Sequence, residues 1–277
     1  MLRPAAVLLA TLCAVPSIGP PNDAQADVEF NTAMMDATIQ ISGPSINAGK
    51  EMCGSGFFID GPSREILEPA EFTFVTAAHV LERIAGDQAE FAVRLKRDGQ
   101  IVRAVVTVAI RKSGIRLYAK HPNADISVMR VTLPSNTAHA MVNWPALAGD
   151  EVFAKLGVHP GDEMFTVGYP LCRMANAQGY PMLRRGAVST PLQVPGMVLT
   201  GFSLDVPTFE GNSGGPVYFD YSDRAIGGVS SKGELRRYVA GVVSNRMFGS
   251  DEPLLMAGVV PAKFIAEAVK LLPPGGQ

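Results

Sequence analysis

The segment Gly211-Asn212-Ser213-Gly214-Gly215-Pro216 says most about the fold and chemistry of this 277-residue chain. A serine between glycines can present its hydroxyl group on a tight turn, and the backbone N–H groups of such a turn can converge on a developing oxyanion. The segment therefore predicts that Ser213 is a nucleophile. An ordinary glycine-rich turn is the alternative interpretation, so the first one depends on suitable partners elsewhere in the sequence.

A serine hydroxyl group needs a base to take its proton near neutral pH, and histidine is the usual base. The chain has 4 histidines. His79 ends the run Thr73-Phe74-Val75-Thr76-Ala77-Ala78-His79, in which an apolar strand leads into two small residues that could fix an imidazole in a packed wall. The other three lie in polar or proline-rich segments, where we expect solvent-exposed loop residues: His121, His139 and His159.

Asp125 is the candidate for the carboxylate that orients the imidazole. It directly precedes an apolar strand, residues 126–129, where an unpaired charge would be costly. A buried acid at that position needs a partner, and His79 would supply one. A turn residue that merely precedes a strand is the alternative interpretation of Asp125.

The order of these residues along the chain separates two architectures that place a serine between glycines. An α/β-hydrolase has the order nucleophile, acid, histidine, and no histidine follows Ser213. The order His79, Asp125, Ser213 instead resembles that of a chymotrypsin-fold (trypsin-like) serine protease. This resemblance extends over about residues 37–272. It rests on four motifs in order: Gly54-Ser55-Gly56-Phe57, Thr76-Ala77-Ala78-His79, Ala124-Asp125-Ile126 and residues 211–216.

Within that family the chain is most similar to the bacterial HtrA-like (DegP-like) branch. Asp205 and Asn212 match the run T-D-x-x-I-N-P-G-N-S-G-G-P of that branch, whereas Thr208-Phe209-Glu210 departs from it. Because the sequence ends soon after its last predicted helix, we expect no PDZ domain.

The resemblance implies a role for each candidate site residue. Ser213 would attack the peptide carbonyl carbon, His79 would accept the serine proton, and Asp125 would hold the imidazole in the required tautomer. The backbone N–H groups of Gly211 and Ser213 would form the oxyanion hole. Substrate-binding residues would be Pro207, Thr208, Glu210, Ser244, Asn245 and Arg246. Because Pro207 falls where an arginine- or lysine-specific protease has its aspartate, we expect cleavage after small or medium apolar residues.

Composition independently favours an all-β protein. The sequence is 47% hydrophobic, contains 28 glycines and 21 prolines, and shows thirteen short strand-like runs. With the resemblance, this predicts two antiparallel β-barrels of the chymotrypsin type followed by a C-terminal α-helix. The predicted organisation is a signal peptide at 1–26, an N-terminal barrel at 27–132, an inter-barrel connection at 133–150, a C-terminal barrel at 151–260, and a helix and tail at 261–277.

The first residues predict export. Arg3 is followed by an apolar run, residues 5–15, and then by Ala24-Gln25-Ala26, which are the features of a secretory signal peptide with its cleavage site. The run is too short to span a bilayer, so we expect no membrane insertion and a periplasmic or secreted protein.

A net charge of −2 argues against a nucleic-acid partner. Protein or peptide substrates are the expected partners, and the oligomeric state is left open.

Two cysteines remain after removal of the signal peptide, Cys53 and Cys172. In an oxidising compartment they could form one disulfide or remain two buried thiols. In the resembled fold, the two segments that carry them approach each other on the leaving-group side of the site, which would allow a bridge, and the choice between bridge and thiols stays open. Neither cysteine has a second cysteine or histidine at ligand spacing, so we expect no metal, and the proposed chemistry requires no cofactor.

Two questions stay open from the sequence. Residues 91–120 contain eight basic side chains and one acid, which suggests either a basic face for acidic partners or a solvated barrel face. The main functional hypothesis is an exported serine endopeptidase that acts through an acyl-enzyme intermediate. The alternative is a catalytically silent member of the same fold that binds a peptide or a protein.

Overall fold

The computed structural model of the chain describes residues 23–61, 71–222, 236–248 and 253–273. The elements of the N-terminal half are, in chain order, α1 (Asp23–Ala37), β1 (Thr38–Pro44), β2 (Glu51–Ile59), β3 (Glu71–Thr76), α2 (Ala78–Arg83), β4 (Gln88–Arg97), β5 (Gln100–Ala109), β6 (Arg111–Lys112), β7 (Ile115–Arg116), β8 (Ala119–Lys120) and β9 (Ser127–Thr132). Those of the C-terminal half are α3 (Asp150–Leu156), β10 (Glu163–Gly168), β11 (Met182–Val188), β12 (Phe202–Asp205), β13 (Pro216–Asp220), β14 (Arg237–Phe248), β15 (Pro253–Pro261) and α4 (Lys263–Val269).

The strands pair in two antiparallel sheets, one in each half of the chain. The N-terminal sheet has seven strands in the order β5-β4-β1-β2-β3-β9-β8, and β6 and β7 form a separate hairpin. In the C-terminal half, the order β10-β11-β12-β15-β14-β13 closes into a barrel through the pairing of β10 with β13. The predicted all-β fold class with a C-terminal helix is confirmed.

Each sheet encloses its own apolar core, and a third core lies between them. Neighbouring residues of β2 show the division, because successive side chains of a strand point to opposite faces. Phe58 packs against Phe74 inside the N-terminal sheet, with ring centroids 5.7 Å apart. Phe57 faces the other way, into a cluster that also contains Tyr218 of the C-terminal barrel. The active-site segments described below lie where the two halves meet.

Helices at both ends of the described chain pack into the core between the two halves. In α1, Met34 is buried, and the ring of Phe30 lies 5.3 Å edge-on from that of Tyr218. The hydroxyl group of Tyr218 also donates a 2.7 Å hydrogen bond to Asn31 Oδ1. In α4, Ile265 is buried in the same cluster. The two helices therefore brace the contact between the sheets.

Three helices were not among the predicted elements: α1, α2 and α3. Residues 1–22 of the predicted signal peptide lie outside the described residues, and α1 runs from Asp23 past the predicted cleavage point after Ala26. One predicted strand, residues 225–229, also lies outside them. The predicted domain boundaries stay predictions. No helix within the described ranges is both long and apolar enough to cross a membrane.

Candidate active site

His79 is the second residue of α2, which is separated from β3 by one residue, Ala77. Ala77 and Ala78 are completely buried, so their small side chains let the start of the helix pack against the core. The imidazole Nδ1 of His79 lies 2.6 Å from Asp125 Oδ2. The backbone N–H of His79 donates to Asp125 Oδ1 at 2.9 Å. One carboxylate therefore holds both the ring and the backbone of the histidine.

Ser244 supplies the third hydrogen bond to the Asp125 carboxylate. Its hydroxyl group donates to Asp125 Oδ2 at 2.6 Å. Burial raises the pKa of Asp125, but the hydrogen bonds and charge of His79, together with the Ser244 hydroxyl group, outweigh burial and lower the pKa below its usual value. An ionised carboxylate only accepts hydrogen bonds, so the proton of neutral His79 resides on Nδ1 and Nε2 keeps its lone pair.

Ser213 lies in a tight turn between the two halves. Its carbonyl oxygen accepts a 2.8 Å hydrogen bond from the N–H of Ser55 on β2. Gly214 follows with φ of +90°, a conformation that favours glycine. Ser213 Oγ donates to the carbonyl oxygen of Ser244 at 2.9 Å rather than to His79. To donate to the imidazole, the hydroxyl group has to leave the Ser244 carbonyl.

The turn that contains Ser213 leaves two backbone donors unused. The N–H of Asn212 donates to the carbonyl of Phe209, and that of Gly214 donates to Val243. The N–H groups of Gly211 and Ser213 make no backbone hydrogen bond within the described residues. These are the two groups that the sequence predicted for an oxyanion hole.

A cleft of about 550 Å³ passes over these residues. Its walls contain three of the six predicted substrate-binding residues: Thr208, Glu210 and Ser244. Pro207 is not part of the described wall, and its carbonyl oxygen accepts a hydrogen bond from Arg184. The side chains of Asn245 and Arg246 lie outside the described part of the chain. The cleft also contains Phe209 and three residues that the sequence did not single out: Met52, Arg83 and Val243.

The expectation of solvent-exposed loop histidines is wrong for two of the three. His121 is 4% exposed, and its Nε2 lies 2.9 Å from Glu267 Oε2 on α4. The ring of His139 packs 5.0 Å from that of Phe58. Burial and the neighbouring Arg94 charge lower the pKa of His139 to about 3, although a hydrogen bond to the Asp36 carbonyl raises it. Both histidines lie in segments that read as loops, but tertiary packing covers them.

Half of the basic side chains in segment 91–120 make hydrogen bonds or ion pairs within the protein. Arg94 is completely buried and donates to backbone carbonyl groups, including that of Asp36 at 2.6 Å. Arg111 donates to three carbonyl groups around the end of α2. Arg116 and Lys120 pair with Glu82. The structure therefore explains four of these eight charges by local contacts.

The cysteines lie beside the cleft and form a disulfide, Cys53–Cys172. Of the two alternatives that the sequence left open, the structure shows the bridge. No group of three or more His, Cys, Asp or Glu side chains among the described residues is placed to hold a metal ion.

Comparison with solved structures supports the fold. The HtrA-type protease AlgW, in a variant form with a tripeptide, is 17% identical with a TM-score of 0.52, and the match covers 90% of this chain and 64% of that one. Deg5 is 16% identical with a TM-score of 0.52, and the match covers 93% of this chain and 99% of Deg5. The chain thus spans less than two thirds of the AlgW chain. These likenesses confirm the predicted resemblance to the HtrA-like chymotrypsin fold at the level of the fold.

Comparison of sequences adds the family. No curated protein sequence matches the chain. The family model of the trypsin-like peptidase domain matches residues 54–227, which is more than half of the chain. The matched range includes the segments that carry His79, Asp125 and Ser213. This match and the barrel architecture together show that the chain belongs to the family of trypsin-like peptidase domains.

Proposed function

We propose that this protein is an exported serine endopeptidase in which Ser213 is the nucleophile, His79 the general base and Asp125 the carboxylate that orients the base. The observation that carries the proposal is the continuous set of contacts in one cleft. Asp125 holds His79 through two hydrogen bonds, and Ser213 lies beside them with the unused N–H groups of its own turn. Hydrolysis by acyl transfer needs these groups, and its only reactants are the peptide and water.

The reaction begins when Ser213 Oγ turns from the Ser244 carbonyl towards Nε2 of His79. As Oγ forms a bond to the substrate carbonyl carbon, its proton moves to Nε2, and the Asp125 carboxylate stabilises the resulting imidazolium. The carbonyl oxygen becomes an oxyanion that accepts hydrogen bonds from the N–H groups of Gly211 and Ser213. Collapse of this intermediate breaks the C–N bond, and His79 gives its proton to the leaving amine.

The second half of the reaction uses the same groups with water. His79 takes a proton from a water molecule, whose oxygen attacks the acyl carbon. Breakdown of the second tetrahedral intermediate releases the new carboxyl group and returns the proton to Ser213 Oγ. One water is consumed for each peptide bond cleaved. No step requires a metal ion or an organic cofactor.

The cleft favours substrates with a small or medium apolar residue on the acyl side of the cleaved bond. Val243 and Phe209 contribute apolar surface to its wall. The hydroxyl group of Thr208 donates to the carbonyl of Met256 at 3.2 Å, so it is occupied within the protein. Asp205 is exposed at the end of β12 and does not line the cleft, whereas the acid Glu210 does. The peptides bound in the AlgW structures support a peptide substrate for this chain.

Export is proposed from the N-terminal sequence. A disulfide beside the cleft supports an oxidising compartment, because disulfides persist there. Cleavage after Ala26 would leave residues 27–37 of α1 in place, including those that pack between the two halves. Amino-terminal sequencing of protein recovered from the periplasm or medium tests this directly: we expect Asp27 as the first residue.

Labelling with a fluorophosphonate probe separates an active protease from a silent binding protein. The probe forms a covalent bond only with an activated serine, so we expect labelling of the wild-type protein and none of Ser213→Ala. The same pair is then incubated with casein, and only the wild-type protein should cleave it. A folded wild-type protein that resists the probe and leaves casein intact would favour the binding function.

A further inference from the structure

Residues 169–172, which follow β10 and are called the β10 loop below, lie directly against the turn that carries Gly211. Gly211 has φ of +93°. A Cβ atom at that position would collide with the carbonyl oxygen of Tyr169, and would lie 2.9 Å from the backbone nitrogen of Cys172 and 3.2 Å from Cys53 Sγ. The turn therefore has its conformation set by direct contact with the loop and the disulfide.

One hydrogen bond from the β10 loop fixes the peptide group between Glu210 and Gly211. The N–H of Leu171 donates to the carbonyl oxygen of Glu210 at 2.7 Å. In a trans peptide the N–H and C=O bonds point in opposite directions. The N–H of Gly211 therefore points away from Leu171, and Gly211 lines the cleft. If this peptide group turned over, a carbonyl oxygen would replace the proposed oxyanion donor.

The β10 loop cannot hold this position by its own conformational preference. Leu171 has φ of +54° and Cys172 has φ of +59°. Two consecutive residues other than glycine in the left-handed region are unfavourable, and such backbone persists only when its surroundings fix it. Release of the loop would let both residues relax and would withdraw the Leu171 N–H from Glu210.

Side chains of β1 and β2 provide the fixation. Cys53 on β2 forms the disulfide with Cys172. Gln40 on β1 donates from Nε2 to the Cys172 carbonyl at 2.9 Å. Ser55 is two residues beyond Cys53, so both side chains leave the same face of the strand. The Ser55 hydroxyl group accepts from the N–H of Tyr169 at 3.1 Å.

Ser55 also connects the loop to the turn. Its hydroxyl group donates to the carbonyl oxygen of Gly211 at 2.6 Å, and the residue is completely buried. A single side chain thus joins the first residue of the β10 loop to the glycine of the turn. Its removal would leave a buried N–H and a buried carbonyl without partners, because no water reaches a fully buried site easily.

We propose that Ser55 and the Cys53–Cys172 disulfide are positioning groups that hold the Gly211 peptide in the orientation required to stabilise the oxyanion. This inference rests on the proposed serine peptidase function. It predicts that catalysis depends on the redox state of the disulfide. A dithiol reductant would transfer two electrons and two protons to the sulfur atoms, leaving two thiols and an oxidised dithiol.

The experiment compares three perturbed forms with the wild-type oxidised protein: wild-type protein reduced with dithiothreitol, the double variant Cys53→Ala/Cys172→Ala, and Ser55→Ala. Ser127→Ala is the matched control, because Ser127 is also completely buried and its hydroxyl group has no hydrogen-bond partner in the described structure. For each form, kcat and KM are measured with a fluorogenic peptide, and Tm by circular dichroism. Inhibition by a peptide boronic acid, whose adduct places an oxygen in the oxyanion hole, is measured in parallel.

We expect each perturbed form to lose between about 10-fold and about 100-fold in kcat, since complete loss of one oxyanion donor costs about 100- to 1,000-fold. KM should stay within about twofold, because ground-state binding does not use the hole. Boronate affinity should fall with kcat, and Ser127→Ala should resemble the wild-type protein. Reoxidation of the reduced protein should restore kcat.

Two results would overturn the inference while leaving the proposed function intact. In the first, the wild-type protein is active and the folded variants and reduced protein keep wild-type kcat and boronate affinity. In the second, KM and kcat change together only as far as Tm falls, which indicates a purely structural role. Failure of the wild-type protein to react with the fluorophosphonate probe would instead contradict the proposed function itself.

Discussion

Replacement of Asp125 with asparagine tests the proposed catalytic machinery most directly. The substitution keeps the size of the side chain and removes its charge. In the structure the carboxylate accepts three hydrogen bonds, from the backbone N–H of His79, from Nδ1–H of His79 and from the Ser244 hydroxyl group. An amide has one acceptor oxygen and one donor NH₂ group, so it cannot reproduce all three. We expect kcat/KM to fall by about 1,000- to 10,000-fold.

The magnitude follows from the two orientations open to the amide. In the first orientation, the NH₂ group takes the place of Oδ2 and donates to Nδ1 of His79, and the Ser244 hydroxyl group turns so that it accepts from the same NH₂ group. The imidazole then carries its proton on Nε2. It therefore cannot take a proton from Ser213. With NH₂ in the place of Oδ1, it opposes the backbone N–H of His79, and this unmade hydrogen bond costs about 1–3 kcal/mol. The inactive orientation is therefore favoured by about 5- to 150-fold. Loss of the negative charge beside the imidazolium supplies the remainder.

The assay is single-turnover and steady-state hydrolysis of a fluorogenic peptide at pH 7.5, with Tm measured alongside to show that the variant is folded. Both kcat and the rate of fluorophosphonate labelling should fall, because both need an activated Ser213. KM should change little. A folded Asp125→Asn protein that retains activity within about tenfold of the wild-type protein would refute the assignment of Asp125, and with it the tautomer argument for His79.

Three further predictions follow from contacts in the same structure. The pKa of His139 is lowered to about 3, so the unfolded chain binds a proton below about pH 6.5 that the folded protein does not. Stability should therefore fall as the pH drops from about 6.5 towards 3, by about 2 kcal/mol between pH 7 and pH 5 in urea unfolding, and His139→Asn should remove most of this slope. Ser244→Ala deletes one hydrogen bond to an ionised carboxylate, worth about 1.5–3 kcal/mol, and should lower kcat/KM at least tenfold; an unchanged value would show that the 2.6 Å contact with Asp125 is unimportant. Gly211→Ala should abolish peptide cleavage because its Cβ has no room beside Tyr169, and retained activity would contradict the close packing of this turn.

The sequence predicts most of the fold because strand patterns are local. Alternating apolar residues and frequent turn residues predicted the two sets of strands. The six-residue α2 is too short to show a helical period. α1 was missed for a different reason: its helix is stabilised by partners distant in sequence, such as Tyr218, which contacts Phe30 and Asn31. A local sequence pattern cannot show contacts that form only in the folded chain.

The same limit applies to the site. Short motifs in a known order identified His79, Asp125 and Ser213 as candidate site residues, and the structure places all three in one cleft. Ser244 was predicted as a substrate-binding residue and Ser55 belongs to one of the four motifs, but the hydrogen bonds of their hydroxyl groups were not predicted. Each of these bonds joins groups more than 100 residues apart. Nothing in the sequence around either serine indicates that its hydroxyl group makes such a bond. Supporting residues of this kind become visible only once their partners are located.

The positions of these supporting residues couple the site to the contact between the two halves of the molecule. Ser55 and His79 belong to the N-terminal half, whereas Gly211, Ser213 and Ser244 belong to the C-terminal half. The hydrogen bonds that join them, from Ser55 to the turn and from Ser244 to Asp125, exist only when the halves are docked. The apolar cluster between the sheets, with α1 and α4 packed into it, supplies the free energy for docking through burial. Any change that loosens this cluster should therefore impair catalysis before it unfolds either sheet.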